Sequence, residues 1–267
     1  MIPKHLLVFT CLLVSVSLQS HAQTTTVTSG SEVPLSSENS MMVPQRNFIK
    51  LNLTSLILKN YSIQYERATS KSISLAVSIR TMPTTSMPFK NAIIKGIEED
   101  DETKDVIEKL RLSNFAFTPE VRFYTGKKGY GRGFYIAPFY RYSKYKVSNL
   151  TVNYENAANQ QNSIDLSGML TSNTGGILFG AQWGLGKNLC LDWWILGPHY
   201  GSGNGTFTGV AKQPLTQDEQ NDLRQELEDL DIPLTNKTVN VNAGGASLIL
   251  DGPWGGLRAG LSLGIKF

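Results

Sequence analysis

His199, Ser202 and Asp251 are the residues whose types could do covalent chemistry together. An imidazole can take a proton from a serine hydroxyl while a carboxylate orients its ring, and that arrangement serves hydrolysis and acyl transfer. His199 lies in Gly197-Pro-His-Tyr-Gly-Ser-Gly203 and is the only histidine after residue 22, with Ser202 close behind it. Asp251 can join them only if the chain after residue 203 folds back. The competing reading is a lone histidine packed among Trp193, Trp194 and Tyr200, because a triad is a matter of geometry and not of residue types.

Other clusters carry weaker chemistry. The acidic run Glu98–Glu102 offers carboxylate oxygens of the kind calcium takes, but it lacks the alternate spacing and the glycine of a calcium-binding loop, and reads as a solvated surface stretch. Gly129-Tyr-Gly-Arg-Gly133 lacks the Lys-Ser/Thr ending of a phosphate loop and reads as a turn. Tyr135, Tyr140, Tyr142, Tyr145, Trp183, Trp193 and Trp194 could stack on sugars or bases, and equally fit the aromatic girdles of a transmembrane sheet. No cofactor, no metal and no nucleic-acid partner are expected.

The chain has 267 residues, 40% hydrophobic and 18% charged, with a net charge of +3 and a mean hydropathy of −0.17. Such a composition excludes a disordered polyelectrolyte and a bundle of membrane-spanning helices. Residues 1–22 read as a cleaved secretory signal: Lys4 and His5, an apolar run from Leu6 to Leu18, and Ser20-His21-Ala22 ahead of Gln23. Cleavage between Ala22 and Gln23 removes Cys11 and leaves Cys190 as the only thiol, so no intramolecular disulfide is expected. Residues 23–46, rich in Ser and Thr, read as a flexible periplasmic leader.

From residue 47 to 267 the pattern has a period of two. Expected strands are Phe48–Leu58, turning at Lys59-Asn60 into a second over Tyr61–Glu66, a third over Ser72–Arg80 and a fourth over Ser113–Tyr124. A fifth runs from Phe134 to about Lys146, a sixth over Asp165–Trp183, a seventh over Leu189–Tyr200 and an eighth over Gly255–Phe267. In the last, Leu257, Leu261, Leu263, Ile265 and Phe267 share one face, and Arg258, Ser262 and Lys266 the other. The links near residues 69–71, 125–132 and 184–188 are short, while those at 82–112, 147–164 and 201–254 are long, an asymmetry typical of bacterial outer-membrane barrels. Seven acids lie between Glu98 and Glu108 and seven between Asp218 and Asp231, of 22 in the chain, so charge is kept off one face of the strands. By parity Lys50, Glu66, Arg80, Glu120, Arg122, Arg141, Asp192 and Arg258 fall on the interior face, where they would pair across a filled lumen. Thr216 and Glu219 form a capping box ahead of Leu223, Leu227 and Leu230, which predicts an amphipathic helix in the last long link.

The terminal Gly-Leu-Ser-Leu-Gly-Ile-Lys-Phe, with Leu263, Ile265 and Phe267 on one face, resembles the insertion signal of outer-membrane barrels, and residues 47–267 resemble small barrels of the OmpA, OmpX and OmpW kind. The stretch from Lys50-Leu-Asn-Leu to Tyr61-Ser-Ile-Gln-Tyr-Glu-Arg67 resembles the opening of a barrel family common in Bacteroidetes and known only as a domain of unknown function. The resemblance implies an all-β, eight-stranded, up-and-down transmembrane barrel in the outer membrane of a Gram-negative cell, with both termini periplasmic. Outer-membrane lipids, the barrel assembly machinery and an unknown extracellular ligand or protein are then the expected partners. A structural or surface-interaction role is expected, with a lipid or glycolipid hydrolase or acyltransferase using His199 as the enzymatic alternative and a narrow channel as the third.

Overall fold

The computed structural model describes residues 45–97, 101–126, 129–155, 161–230 and 235–267. The expected signal with Ala22 and Gln23, the leader up to residue 44, and Glu98, Glu99 and Asp100 lie outside the described residues.

Among the described residues the alternating segments become nine antiparallel strands: β1 Asn47–Asn52, β2 Tyr61–Ala68, β3 Ile73–Ser86, β4 Arg111–Tyr124, β5 Gly133–Glu155, β6 Gln161–Leu185, β7 Leu189–Val210, β8 Asn236–Asn242 and β9 Gly245–Lys266. They form one sheet in the order β1-β2-β3-β4-β5-β6-β7-β9-β8, and β1 also pairs with β9 from Phe48↔Lys266 to Asn52↔Ser262. Eight strands therefore close into a ring, which leaves few unpaired edges. The eighth expected strand is the second half of β9, and β8 is a ninth strand that pairs with its first half.

Strand extents differ from the sequence reading. The first strand stops at Asn52, because its side chain accepts hydrogen bonds from the Ser55 amide (2.9 Å) and the Thr54 hydroxyl (2.8 Å) and caps a short helix, α1 Leu53–Ile57, in place of extended chain up to Leu58. Strands β5, β6, β7 and β9 run for 23, 25, 22 and 22 residues. Their polar halves, rich in Ser, Thr, Asn and Gly, resemble loops in composition but pair continuously. The long β3–β4 connection holds α2 Lys90–Lys95 and α3 Asp101–Lys109, and the β7–β8 connection holds α4 Gln217–Asp229.

The expected short links connect β2 to β3, β4 to β5 and β6 to β7, all at the end where the Asn47 amide meets the Phe267 carbonyl at 3.0 Å. At the opposite end the strand extensions and helices build a second, apolar core. Leu223 and Leu227 of α4, with Leu230 just after it, pack with Leu166, Phe207, Leu248 and the α3 side chains Val106 and Ile107. The capping box is present, with Thr216 bonded to the Glu219 amide and Glu219 reaching back to the Thr216 amide. In the β8–β9 hairpin, Gly245 has φ +141°, and a Cβ there would lie 2.1 Å from the Gly209 carbonyl oxygen.

The ring is turned inside out relative to a water-soluble core. Ile63, Leu75 and Ile265 point outward and are 56%, 51% and 51% exposed, whereas Glu66, Arg122 and Asp192 point inward and are wholly buried. No helix among the described residues is long and apolar enough to cross a membrane.

Candidate functional site

The pleat brings one charged or polar side chain after another to the ring interior. Lys50 of β1 pairs with Glu66 of β2 and, at 2.7 Å, with Asp192 of β7. Arg122 of β4 reaches Asp192 at 2.7 Å and Glu66 at 3.0 Å through Nη1, Glu120 at 2.6 Å through Nε, and Gln64 at 2.8 Å through Nη2. Asp192 also accepts hydrogen bonds from the Tyr135 hydroxyl at 2.7 Å and the Trp194 indole at 3.2 Å. Glu66 accepts from the Tyr124 hydroxyl at 2.7 Å, and Glu120 from Arg258 of β9 at 3.0 Å. Three cations thus meet three carboxylates, with Gln182 of β6 and Ser74 of β3 completing a network to which every ring strand contributes.

Burying six charges is costly unless each is paired and hydrogen-bonded, which is the condition met here. Chemically the arrangement ties the two sides of the ring together. Aromatic faces complete the packing: the Arg122 guanidinium lies 4.4 Å from the Tyr135 ring centre, and the Arg258 guanidinium lies 4.4 Å from Phe139 and 4.7 Å from Trp194.

Toward the helix-bearing end, Arg80 of β3, Arg141 of β5 and His199 of β7 face the same interior. Arg80 donates to Asn114 at 3.2 Å and Arg141 to Ser143 at 3.1 Å. Among the described residues neither guanidinium has a carboxylate within 4 Å. His199 packs edge-on against Phe139 with ring centres 6.0 Å apart, and its Nδ1 has no partner.

The structure does not bring the predicted triad together. A bulge in β7, marked by register shifts at Trp194/Gly197 and Phe179/Gly180, inserts a residue that changes the inward parity from Asp192 and Trp194 to Gly197 and His199. His199 is therefore inside the ring and not at an aromatic rim. Ser202, opposite Pro253, and Asp251, opposite Asn204, are exposed on the outer face. Leu263, Ile265 and Phe267 face outward.

All eight charges assigned inward by parity face inward, and three of the aromatic residues read as stacking or girdle residues join them there. Tyr135, Tyr145 and Trp194 point inward, whereas Tyr140, Trp183 and Trp193 are exposed on the outer face. The signal was present, since Tyr135 and Tyr145 share the odd parity of Arg141, and Trp194 shares the even parity of Asp192. Of the acidic run, Asp101 begins α3 and forms a 3.0 Å ion pair with Lys104. Gly129, Tyr130 and Gly131 all have positive φ and make the β4–β5 turn.

Fold and interior together define a closed antiparallel sheet with an apolar outside and a filled, ion-paired inside. The model of the family described as Protein of unknown function (DUF3575) matches residues 9–203, and the chain belongs to that family. The match runs from before β1 into β7 and stops short of α4, β8 and β9. No curated protein and no solved structure matches the chain.

Proposed function

We propose that the protein is an integral outer-membrane β-barrel with a filled lumen and a structural or surface-interaction role. The observation that carries the reading is the inverted ring, in which each strand turns aliphatic and aromatic side chains outward and charged ones inward. Along β9 the outward apolar series runs from Leu257 to Phe267. At about 3.3 Å per residue and the usual tilt of about 40°, such a stretch forms a band about 25 Å tall, the height of the apolar belt of outer-membrane barrels. Trp183 and Trp193, stacked with centres 6.5 Å apart on the outer face near the short-turn end, suit a membrane interface. Both described chain ends fall at that end, which is periplasmic in this reading, and the second core with α3 and α4 then faces outward to meet an external ligand or protein. The signal read in residues 1–22 supports export.

The role is proposed as non-catalytic, because His199 and Ser202 leave opposite faces of β7. A conducting channel is disfavoured because the ion-paired layer crosses the full width of the ring. The test is cell fractionation combined with gel migration before and after heating. A barrel co-sediments with the outer membrane and shifts in mobility on boiling; recovery in the soluble periplasmic fraction without a shift would overturn the proposal.

A further inference from the structure

We propose that Arg80, Arg141, Arg258 and His199 form an anion site inside the ring, built to take a phosphate group. Setting aside Lys266 at the short-turn rim, the described ring interior holds five cationic side chains, Lys50, Arg80, Arg122, Arg141 and Arg258, and three carboxylates, Glu66, Glu120 and Asp192. The carboxylates are consumed by the layer around Arg122, so the surplus of two positive charges falls on the helix-facing side. Like charges gathered in a largely buried interior disfavour the folded state unless an anion or solvent compensates them.

The geometry supplies a receptor. Arg258 uses Nη1 on Glu120, while its Nε and Nη2 are buried without any partner. Those two N–H groups lie on one edge of the guanidinium and form the fork that grips two oxygens of one oxyanion. Phe139 and Trp194 hold the plane of that guanidinium, so the fork is oriented beforehand. The His199 ring packs against Gly256, two residues from Arg258 on the same face, where a Cβ would come within 3.0 Å of Nε2. Its unpartnered Nδ1 adds a polar atom to the site. Arg80 and Arg141 face the same side of the interior as His199 and have no carboxylate within 4 Å among the described residues.

A route in exists as well. On its β1 side β9 pairs with β8 up to Asp251 and with β1 from Ser262 onward, so residues 252–261, which include Gly256 and Arg258, have no strand partner there. Helix α1 covers this seam, with the Leu261 amide donating to the Thr54 hydroxyl at 3.3 Å. Arg80, Tyr145 and Trp254 keep partial exposure although they face inward, so the cluster is not sealed on that side. The phosphate can come from solution or from a lipid headgroup entering through the seam. The free-anion case does not depend on the proposed membrane location.

The experiment is calorimetric titration of the full chain, refolded in zwitterionic detergent, with inorganic phosphate in one arm and with phosphatidylglycerol-doped micelles against phosphatidylcholine-doped ones in the other. Saturable binding of one phosphate per chain in either arm, weakened about tenfold or more by Arg141→Gln, is expected, and the responding arm names the source. Arg141→Gln breaks no ion pair, and retention of the heat-dependent gel shift shows that it folds. A second reading uses thermal unfolding. In phosphate-free buffer Arg141→Gln is expected to melt no lower than the parent, and phosphate raises the parent's Tm more than the variant's. No saturable binding in both arms, or binding unchanged in both Arg141→Gln and Arg80→Gln, would overturn the proposal.

Discussion

Asp192→Asn removes one charge from the middle of the ion-paired layer while keeping the side chain's size. Asp192 is wholly buried and accepts bonds from Lys50, Arg122 and Tyr135, each at 2.7 Å, and from Trp194 at 3.2 Å. After the substitution three cations face two carboxylates, because the amide oxygen can still accept from Lys50, Arg122 and Trp194 but carries no charge. Removing one partner of a buried pair costs about 3–5 kcal/mol, because the other charge stays buried without compensation. The expected loss of unfolding free energy is therefore about 3–5 kcal/mol, measured by urea titration of chain refolded in lipid vesicles and read by heat-dependent gel mobility. Lys50→Met alone is expected to cost a similar amount. The double variant restores the balance of charge, so its cost is expected to fall short of the sum by about 2–3 kcal/mol, the upper range for residues in contact. A single-variant cost under about 1 kcal/mol, or additive costs in the double, would show that the layer is not the electrostatic clamp described here.

Leu227→Ala empties a site in the second core and is expected to cost about 2–5 kcal/mol locally; protease nicking between β7 and β8 should rise while the gel shift of the ring persists. Thr216→Ala removes the capping box of α4 at a cost of about 1 kcal/mol, detectable as faster amide exchange in α4 alone. Hydrogen bonds from the Thr216 amide and hydroxyl hold the Glu219 carboxyl below its ordinary range. The cap's contribution is therefore full above that range and is lost as pH falls through the lowered value, so the protection of α4 amides relative to unstructured chain at the same pH should fall on acidification and fall less in Thr216→Ala. His199→Ala is expected to leave phospholipid and lipid A profiles of the outer membrane unchanged; an altered profile would restore the enzymatic reading.

The interior charges were legible because strand parity is a strict rule while it lasts: Lys50, Glu66, Glu120, Arg122 and Asp192 all point where alternation sends them. His199 was not legible for the same reason. Counting by twos from Asp192 places it outside, and only the extra residue near Ile195 turns it inward. The short-turn end and α4 could be read because turn chemistry and a capping box are local signals. The polar halves of β5, β6, β7 and β9 could not, since their stability comes from pairing with one another and from the leucines of α4, which are distant in sequence. At Asn52 a single side chain that bonds its own backbone outweighed the alternation around it.

Site-directed spin labelling along β9, in a mature chain with Cys190 replaced and reconstituted in bilayers, tests the inverted ring itself. Labels placed singly at residues 257, 259, 261, 263 and 265 should be reached by oxygen dissolved in the lipid and shielded from a water-soluble relaxant, while a label at 262 should be shielded from both. High exposure of the odd positions to the water-soluble relaxant would contradict a lipid-facing outer surface.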